Sequence, residues 1–287
     1  MSATAAPPPG AYVRIASRWR ADVDILPGRY HLYVSLACPW AQRTIILRRL
    51  TGLEDVLPMT VLDPIRDERG WAMVEPDHHG WSFLRTAYYA TDPAYDGRIS
   101  VPVLWDEQEQ RIACNESADV IVSLTRARRQ GPDWYPEALR PEIDAINDVV
   151  YANVNDGVYK CGFARSQEAY DAAVGRLFET LEYLDQRLAG QRFLVGDEIT
   201  LADWRLFTTL LRFDAVYHTH FKATIKRLVE YASLWPYARS LFQHPGVRET
   251  VNWDHIRRHY YLSHRELNPR GIVPAPPAMD WDAPHGR

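Results

Sequence analysis

The spacing of apolar residues differs between the two halves of the chain. Up to residue 130 they form short continuous runs, which are typical of buried strands. Beyond Pro136 they recur every three or four positions, which is typical of helices packed on a core. The pattern therefore predicts an α/β half followed by an all-helical half, joined by a linker at residues 131–136.

The first half has the element order of a thioredoxin-like domain. The predicted strands cover residues 31–37, 56–62, 99–106 and 111–114, and the predicted helices cover 41–50 and the stretch from 115. Residues 63–98 have little periodicity and many turn formers, so we expect a long loop there. Loops of that length inside a compact domain are usually functional or mobile.

The second half is predicted to contain five helices. They cover residues 137–154, 167–188, 201–217, 225–232 and 236–242. Thr200 and Asp203 are spaced as a capping box at the start of the third of these helices. A Pro run lies near the N-terminus, and the C-terminal end is also rich in Pro, so we interpret both ends as lying outside the two domains. The predicted division is an arm at 1–30, a thioredoxin-like domain at 31–130, a helical domain at 136–255 and a tail at 256–287.

Composition excludes several classes of protein. With 46% hydrophobic residues and 24% charged residues, the chain has enough apolar residues for a sizeable core. A net charge of −4 argues against a general nucleic-acid binder, which needs a basic surface. The sequence contains no secretory signal and no apolar stretch near the ~20 residues that cross a bilayer. Three cysteines make no disulfide framework, so we expect a reducing, cytoplasmic location and no membrane partner.

Cys38-Pro39 is the strongest chemical signal, because it lies between a predicted strand and a predicted helix. A cysteine there faces unpaired backbone N–H groups and the positive end of the helix dipole, which favour a nucleophilic thiolate. An inert cysteine that caps the strand fits the same pattern. Residue 41 is Ala, so the motif holds no resolving thiol, and we expect an external one such as glutathione. Cys114 and Cys161 are alternative resolving thiols.

Two further motifs suit a glutathione ligand. Val101-Pro102 begins a strand and predicts a cis peptide bond, which would turn an edge of backbone toward a bound peptide. Glu116-Ser117 begins a helix and offers N–H groups and a hydroxyl for a carboxylate, with an acid for an ammonium group. A γ-glutamyl group presents both charges. Simple helix capping is the alternative interpretation of Glu116-Ser117.

At these residues the chain resembles the glutathione transferase superfamily, and more closely its xi class, the glutathionyl-hydroquinone reductases. The resemblance covers about residues 15–275. In the first half its motifs lie at 38–41, 80–83, 97–98, 100–106 and 115–118, and in the second half at 155–160, 212–217 and 252–260. It implies a thioredoxin-like N-terminal domain at 31–130 that binds glutathione, an all-α C-terminal domain and a homodimer.

The resemblance also implies roles for individual residues. Cys38 would be the nucleophile. The residues implied to hold glutathione are Trp81, Arg98, Val101, Glu116 and Ser117, with Trp71 as the alternative to Trp81. Tyr159, Tyr217 and Tyr260 would line the site of the aromatic substrate.

The predicted function is the glutathione-dependent reduction of glutathionyl-hydroquinones, which are small quinone-derived molecules. A Cys38–glutathione mixed disulfide would be the intermediate, and oxidised glutathione would be released. The alternatives are an omega-like thioltransferase or dehydroascorbate reductase, and a non-catalytic binding protein with the same fold. The pairs His255/His259 and His78/His79 lack a metalloprotease pattern and are interpreted as solvated or hydrogen-bonded histidines, so no metal is expected.

Overall fold

The computed structural model describes residues 8–287, and within them five strands and ten α-helices. The strands are β1 (Tyr30–Val34), β2 (Met59–Asp67), β3 (Gly70–Met73), β4 (Val103–Asp106) and β5 (Arg111–Cys114). The helices are α1 (Pro39–Leu50), α2 (Arg85–Thr91), α3 (Ser117–Arg126), α4 (Arg140–Val150), α5 (Gly157–Gly162), α6 (Gln167–Gly190), α7 (Leu201–Arg212), α8 (His218–His220), α9 (Leu234–Phe242) and α10 (Trp253–Ser263).

These residues form two compact units. The sheet unit comprises Ile15–Ala138 and Leu241–Pro274. The helical unit comprises Leu139–Ser240 and Ala275–Arg287 together with residues 8–14. Within the described residues, no helix is both long enough and apolar enough to cross a bilayer.

The sheet unit is built around β1, all of whose residues are buried. The strand order is β3-β2-β1-β4-β5, in which β1 is parallel to β2 and antiparallel to β4. Helix α1 connects the two parallel strands and packs on α3. This mixed sheet, followed along the chain by helices, confirms the predicted combination of a thioredoxin-like domain with an all-helical domain.

The prediction of one long loop over residues 63–98 is wrong. Strand β2 continues to Asp67, and a turn at Glu68 and Arg69 leads into the short antiparallel strand β3, which begins at Gly70. Gly70 has a φ of 98°, a conformation that glycine adopts at little cost. Helix α2 follows at Arg85. The segment lacks clear periodicity because its strands are irregularly paired and its helix has only seven residues.

Helix α10 belongs to the sheet unit, although the predicted boundary between helical domain and tail, at residues 255 and 256, falls inside it. The helix packs on β2. The backbone N–H of Arg66 donates to Ser263 Oγ at 2.9 Å, and His259 Nδ1 lies 2.8 Å from the Pro64 carbonyl oxygen. His259 is therefore a hydrogen-bonded histidine of the core, which agrees with its interpretation from the sequence.

The helical unit confirms the capping box at the start of α7. Thr200 caps the helix, and the Asp203 carboxylate accepts hydrogen bonds from the Thr200 N–H at 2.7 Å and from the Tyr237 hydroxyl at 2.7 Å. The predicted helix at 225–232 is reduced to one 3₁₀ turn, Leu228–Glu230.

Two π-helical turns interrupt the long helical stretches of this unit. They cover Tyr151–Asn155 and Phe213–Tyr217. The first turn lies between α4 and α5, and the second lies between α7 and α8. Such turns occur frequently at functional sites, because they alter which side chains face the same direction.

Candidate active site

Cys38 occupies the N-cap of α1, as predicted. Its backbone is extended, with φ −78° and ψ 123°, and Pro39 fills the first helical position. Proline is suited to that position because its missing N–H has no partner inside the helix. The residue is half-buried, in contrast to Cys114 and Cys161, which are buried. The positive end of the helix dipole favours negative charge at this point.

The Cys38 thiol faces the residue that precedes a cis proline. Cys38 Sγ donates to the Val101 carbonyl oxygen at 3.6 Å, and the Val101–Pro102 bond is cis, as predicted. Val101 is buried and lies just before β4. A cysteine-containing peptide that hydrogen-bonded to the Val101 backbone in an extended conformation would bring its own sulfur near Cys38.

Glu116 and Ser117 lie together at the start of α3. Glu116 is the N-cap: its Oε1 accepts from the Ala118 N–H at 3.0 Å, and its Oε2 accepts from the Ser17 hydroxyl at 3.0 Å. Ser117 is buried, and its Oγ accepts from Arg43 Nη1 at 3.4 Å. Both interpretations of the motif are compatible with this geometry, because a half-buried carboxylate can cap a helix and still attract an ammonium group.

Tyr88, which was not predicted from the sequence, joins these two segments. The Tyr88 hydroxyl donates to the Ser100 carbonyl at 2.8 Å and accepts from the Ser100 N–H at 3.1 Å and from Asn115 Nδ2 at 3.3 Å. Ser100 precedes Val101, and Asn115 precedes Glu116. Burial raises the pKa of Tyr88, so the phenol remains a neutral donor. No sequence motif identifies this residue, which lies inside the segment predicted to be a loop.

The two candidate tryptophans lie in different surroundings. Trp81 is half-buried in the segment before α2, stacked on His79 with ring centroids 4.4 Å apart. Trp71 is a buried residue of β3 and stacks on His259 at 4.9 Å. Arg98 is exposed after α2, where its carbonyl oxygen accepts from the Tyr95 hydroxyl at 3.0 Å.

Two of the three predicted substrate tyrosines lie together in the helical unit. The rings of Tyr159, in α5, and Tyr217, at the end of a π turn, have centroids 6.1 Å apart. The Arg14 guanidinium lies 4.6 Å from the Tyr159 ring centroid and forms an ion pair with Asp156. Tyr260 belongs to α10 of the sheet unit. All three tyrosines are buried.

The other two cysteines are poor nucleophiles. Both are buried, and burial raises the pKa of Cys114 to about 11 and that of Cys161 to about 12. A thiol that stays protonated at neutral pH attacks a disulfide slowly, because the thiolate is the reactive form. An external thiol therefore suits this chain better than an internal resolving cysteine.

Family models match both halves of the chain. The N-terminal domain of glutathione S-transferase matches residues 37–127, and the C-terminal domain of glutathione S-transferase matches residues 167–240. The first match begins one residue before Cys38 and includes β2 to β5.

Individual relatives are similar over nearly the whole chain. Glutathionyl-hydroquinone reductase YqjG of Escherichia coli is 48% identical over an alignment of 270 residues, which covers 90% of this chain and 82% of that protein. Its solved structure with glutathione bound covers 92% of this chain and 89% of that one, with a TM-score of 0.89. Glutathionyl-hydroquinone reductase PcpF of Sphingobium chlorophenolicum is 45% identical over an alignment of 284 residues, which covers 94% of this chain and 91% of that protein.

A further solved structure indicates the class within the superfamily. The xi glutathione S-transferase of Phanerochaete chrysosporium is 41% identical, covers 96% of this chain and 95% of its own, and has a TM-score of 0.90. Identity at this level over almost the full length means shared descent as well as shared fold. The chain belongs to the glutathione transferase superfamily and, within it, to the xi class.

Proposed function

We propose that this chain reduces glutathionyl-hydroquinones to hydroquinones, with glutathione as the reductant. The observation that carries the proposal is the 48% identity, over 90% of the chain, to a protein named glutathionyl-hydroquinone reductase. The position of Cys38 supports it, because a half-buried thiol at the start of a helix suits a nucleophile. A soluble thiol would complete the cycle, since the other cysteines are buried.

In the first step, the Cys38 thiolate attacks the sulfur that joins glutathione to the aromatic ring. A sulfur–sulfur bond forms and the sulfur–carbon bond breaks. The ring carbon keeps the electron pair of the broken bond and takes one proton. The products are a free hydroquinone and a Cys38–glutathione mixed disulfide, which is a covalent intermediate of the ping-pong type.

In the second step, the thiolate of another glutathione attacks the glutathione sulfur of the mixed disulfide. Oxidised glutathione leaves, and Cys38 is released as the thiolate. The two electrons that reduce the aromatic carbon therefore come from the Cys38 thiolate and are replaced by the second glutathione. The thiolate is a good leaving group at a helix N-terminus, because the dipole stabilises its charge.

The residues that hold glutathione are proposed from the resemblance and supported by their chemistry. Val101 offers backbone beside the Cys38 sulfur, and Glu116 with Ser117 offers an acid and a helix start for the γ-glutamyl group. Arg98 would add a positive charge and Trp81 an aromatic face. Replacing Trp81 and Trp71 separately by Phe tests that assignment, since the KM for glutathione should respond at the tryptophan that contacts it.

The tyrosines are proposed to recognise the ring of the substrate. The hydroxyls of Tyr159, Tyr217 and Tyr260 would hydrogen-bond the ring oxygens and stabilise the charge that develops when the carbon–sulfur bond breaks. The near contact of the Tyr159 and Tyr217 rings supports a shared role for these two. The homodimer and the cytoplasmic location stay predictions, which light scattering and cell fractionation would test.

The deciding experiment compares two substrates and two forms of the chain. We expect the parent chain to turn over a glutathionyl-hydroquinone faster than a simple mixed disulfide of glutathione. Cys38→Ser should lower the first activity by on the order of a thousandfold or more, because it removes the nucleophile. Undiminished activity in this variant would exclude the mechanism. Faster turnover of the mixed disulfide would favour the omega-like thioltransferase, and no turnover together with failure to bind immobilised glutathione would favour the non-catalytic binding protein.

A further inference from the structure

Three histidines and a glutamate lie close together in the sheet unit, beside Trp81, and the proposed reaction uses none of the four. His31 lies on β1, His78 and His79 lie between β3 and α2, and Glu107 directly follows β4. One ligand atom each of His31, His78 and Glu107 lies within 4.8 Å of the others. The sequence separates these residues widely, so the pair His78/His79 alone gave no sign of a larger cluster.

The two strands fix the positions of His31 and Glu107. In the antiparallel register of β1 and β4, His31 lies opposite Trp105, and the Glu107 N–H donates to the Arg29 carbonyl at 2.8 Å. His31 Nε2 lies 2.7 Å from Thr60 Oγ1 on the neighbouring strand β2. Hydrogen bonds of this kind commonly orient an imidazole for metal binding through its other nitrogen.

Asp77 fixes the segment that carries His78 and His79. Asp77 Oδ1 accepts from the backbone N–H groups of His79 and Trp81 at 3.0 and 2.9 Å. Its Oδ2 accepts from the Tyr33 hydroxyl of β1 at 2.6 Å. The segment is therefore tied to the sheet before any ligand binds, so little conformational entropy remains to be lost on binding.

Both histidines of this segment face the same carboxylate. His78 Nε2 lies 2.8 Å from Glu107 Oε1, and His79 Nε2 lies 3.0 Å from Glu107 Oε2. In a tetrahedral site with ligand distances of about 2.0–2.2 Å, donor atoms lie roughly 3.3–3.6 Å apart. Binding would therefore widen the two His–Glu107 distances, and His31, whose ligand atom lies within 4.8 Å of those of His78 and Glu107, would be approached by rotation of His78, whose side chain is 46% exposed.

We propose that His31, His78 and Glu107, with His79 as a fourth ligand, bind one divalent transition-metal ion. Imidazole nitrogens with a single carboxylate favour zinc, nickel, cobalt or copper over calcium and magnesium, which prefer oxygen ligands. The ion would hold the segment before α2 against β1 and β4. It would also lie close to Trp81, which stacks on His79, so metal binding should change tryptophan fluorescence.

The test titrates Ni²⁺ and Zn²⁺, each alone, into the full chain without an affinity tag. Every form carries Cys38→Ser, because a thiolate also binds these ions. We compare this parent with the His78→Gln/Glu107→Gln double variant and with His218→Gln, a histidine of the helical unit, as the matched control. Calorimetry gives stoichiometry and affinity, and tryptophan fluorescence reports on the surroundings of Trp81.

We expect one ion per chain for the parent and for His218→Gln, and affinity at least about tenfold weaker for the double variant. His78 is exposed and Glu107 half-buried, so the double variant should fold, which circular dichroism without metal verifies. Undiminished binding in the double variant, or no binding by the parent, overturns the proposal. Neither result depends on turnover, so the outcome is independent of the proposed function.

Discussion

The Tyr88 hydroxyl donates a 2.8 Å hydrogen bond to the Ser100 carbonyl and accepts a second bond from the Ser100 N–H. It also lies 3.2 Å from Ser100 Oγ and accepts a hydrogen bond from Asn115 Nδ2. One phenol in α2 thus connects the backbone before the cis proline with the residue before the α3 cap. The two segments proposed to hold opposite parts of glutathione are linked through this buried group, so Tyr88 is a positioning residue.

Replacing Tyr88 by Phe should separate the two segments without removing a side chain that we propose to contact glutathione. The change removes a hydrogen-bond partner from the buried Asn115 and from the half-buried Ser100, at a cost of about 1–3 kcal/mol in the free energy of unfolding. We expect the KM for glutathione to rise by roughly tenfold while kcat changes less. Tyr89→Phe, at an exposed neighbouring position, is the control and should change neither. A purely structural role for Tyr88 would lower the stability and leave KM at its original value.

Alkylation should distinguish Cys38 from the other cysteines. A buried thiol with a pKa of about 11, such as that of Cys114, is only on the order of 0.01% ionised near neutral pH. We therefore expect iodoacetamide to modify Cys38 alone in the folded chain and all three cysteines in guanidinium chloride, as measured by peptide mass spectrometry. Modification of Cys161 as fast as that of Cys38 would contradict this expectation. It would support Cys161 as an internal resolving thiol.

The hydroxyls of Tyr159 and Tyr217 should affect the turnover of a glutathionyl-hydroquinone and not that of a mixed disulfide without a ring. Tyr159→Phe and Tyr217→Phe are expected to lower kcat for a glutathionyl-hydroquinone by about 10- to 100-fold, since each removes a hydrogen bond to developing charge. Turnover of a mixed disulfide without an aromatic ring should stay within about twofold. Tyr183→Phe, at an exposed position, is the control. Equal losses on both substrates would show that these hydroxyls support the fold and do not recognise the ring.

The capping box at the start of α7 should be a major source of stability for the helical unit. Asp203→Ala removes the acceptor of the Leu194 N–H, the Thr200 N–H and the Tyr237 hydroxyl, all of them buried. We expect the free energy of unfolding to fall by about 3 kcal/mol or more in denaturant titrations. Asp197→Ala, on the exposed approach to the helix, should change it by less than about 0.5 kcal/mol. Similar effects of the two changes would mean that the network contributes little.

Local signals in the sequence were sufficient where one short motif determines the structure. Cys38-Pro39 predicts a helix start, Val101-Pro102 a cis bond and Thr200 with Asp203 a capping box, and all three predictions are confirmed. Each depends on the conformational preference of neighbouring residues, which the sequence displays directly. The first two of these motifs also belong to the family resemblance.

Features that depend on distant residues could not be predicted in this way. Tyr88 bonds to Ser100 and Asn115, which lie 12 and 27 positions away, and no periodicity indicates that they meet. The His31, His78 and Glu107 cluster forms only because β1 pairs with β4 and Asp77 ties a loop to the sheet. Helix α2 has no side-chain cap at its start and lies in a stretch rich in turn formers, so the sequence did not predict it.

The docking of α10 on β2 has a consequence for biosynthesis. The two partners are separated along the chain by the whole stretch 139–240, which belongs to the other unit. A ribosome therefore releases β2 long before it has made the helix that Arg66 and Pro64 bind. Until Ser263 leaves the exit tunnel, the nascent chain exposes this part of the strand, and domains left incomplete in this way are prone to aggregate. A premature stop codon upstream of Trp253 would make that exposure permanent.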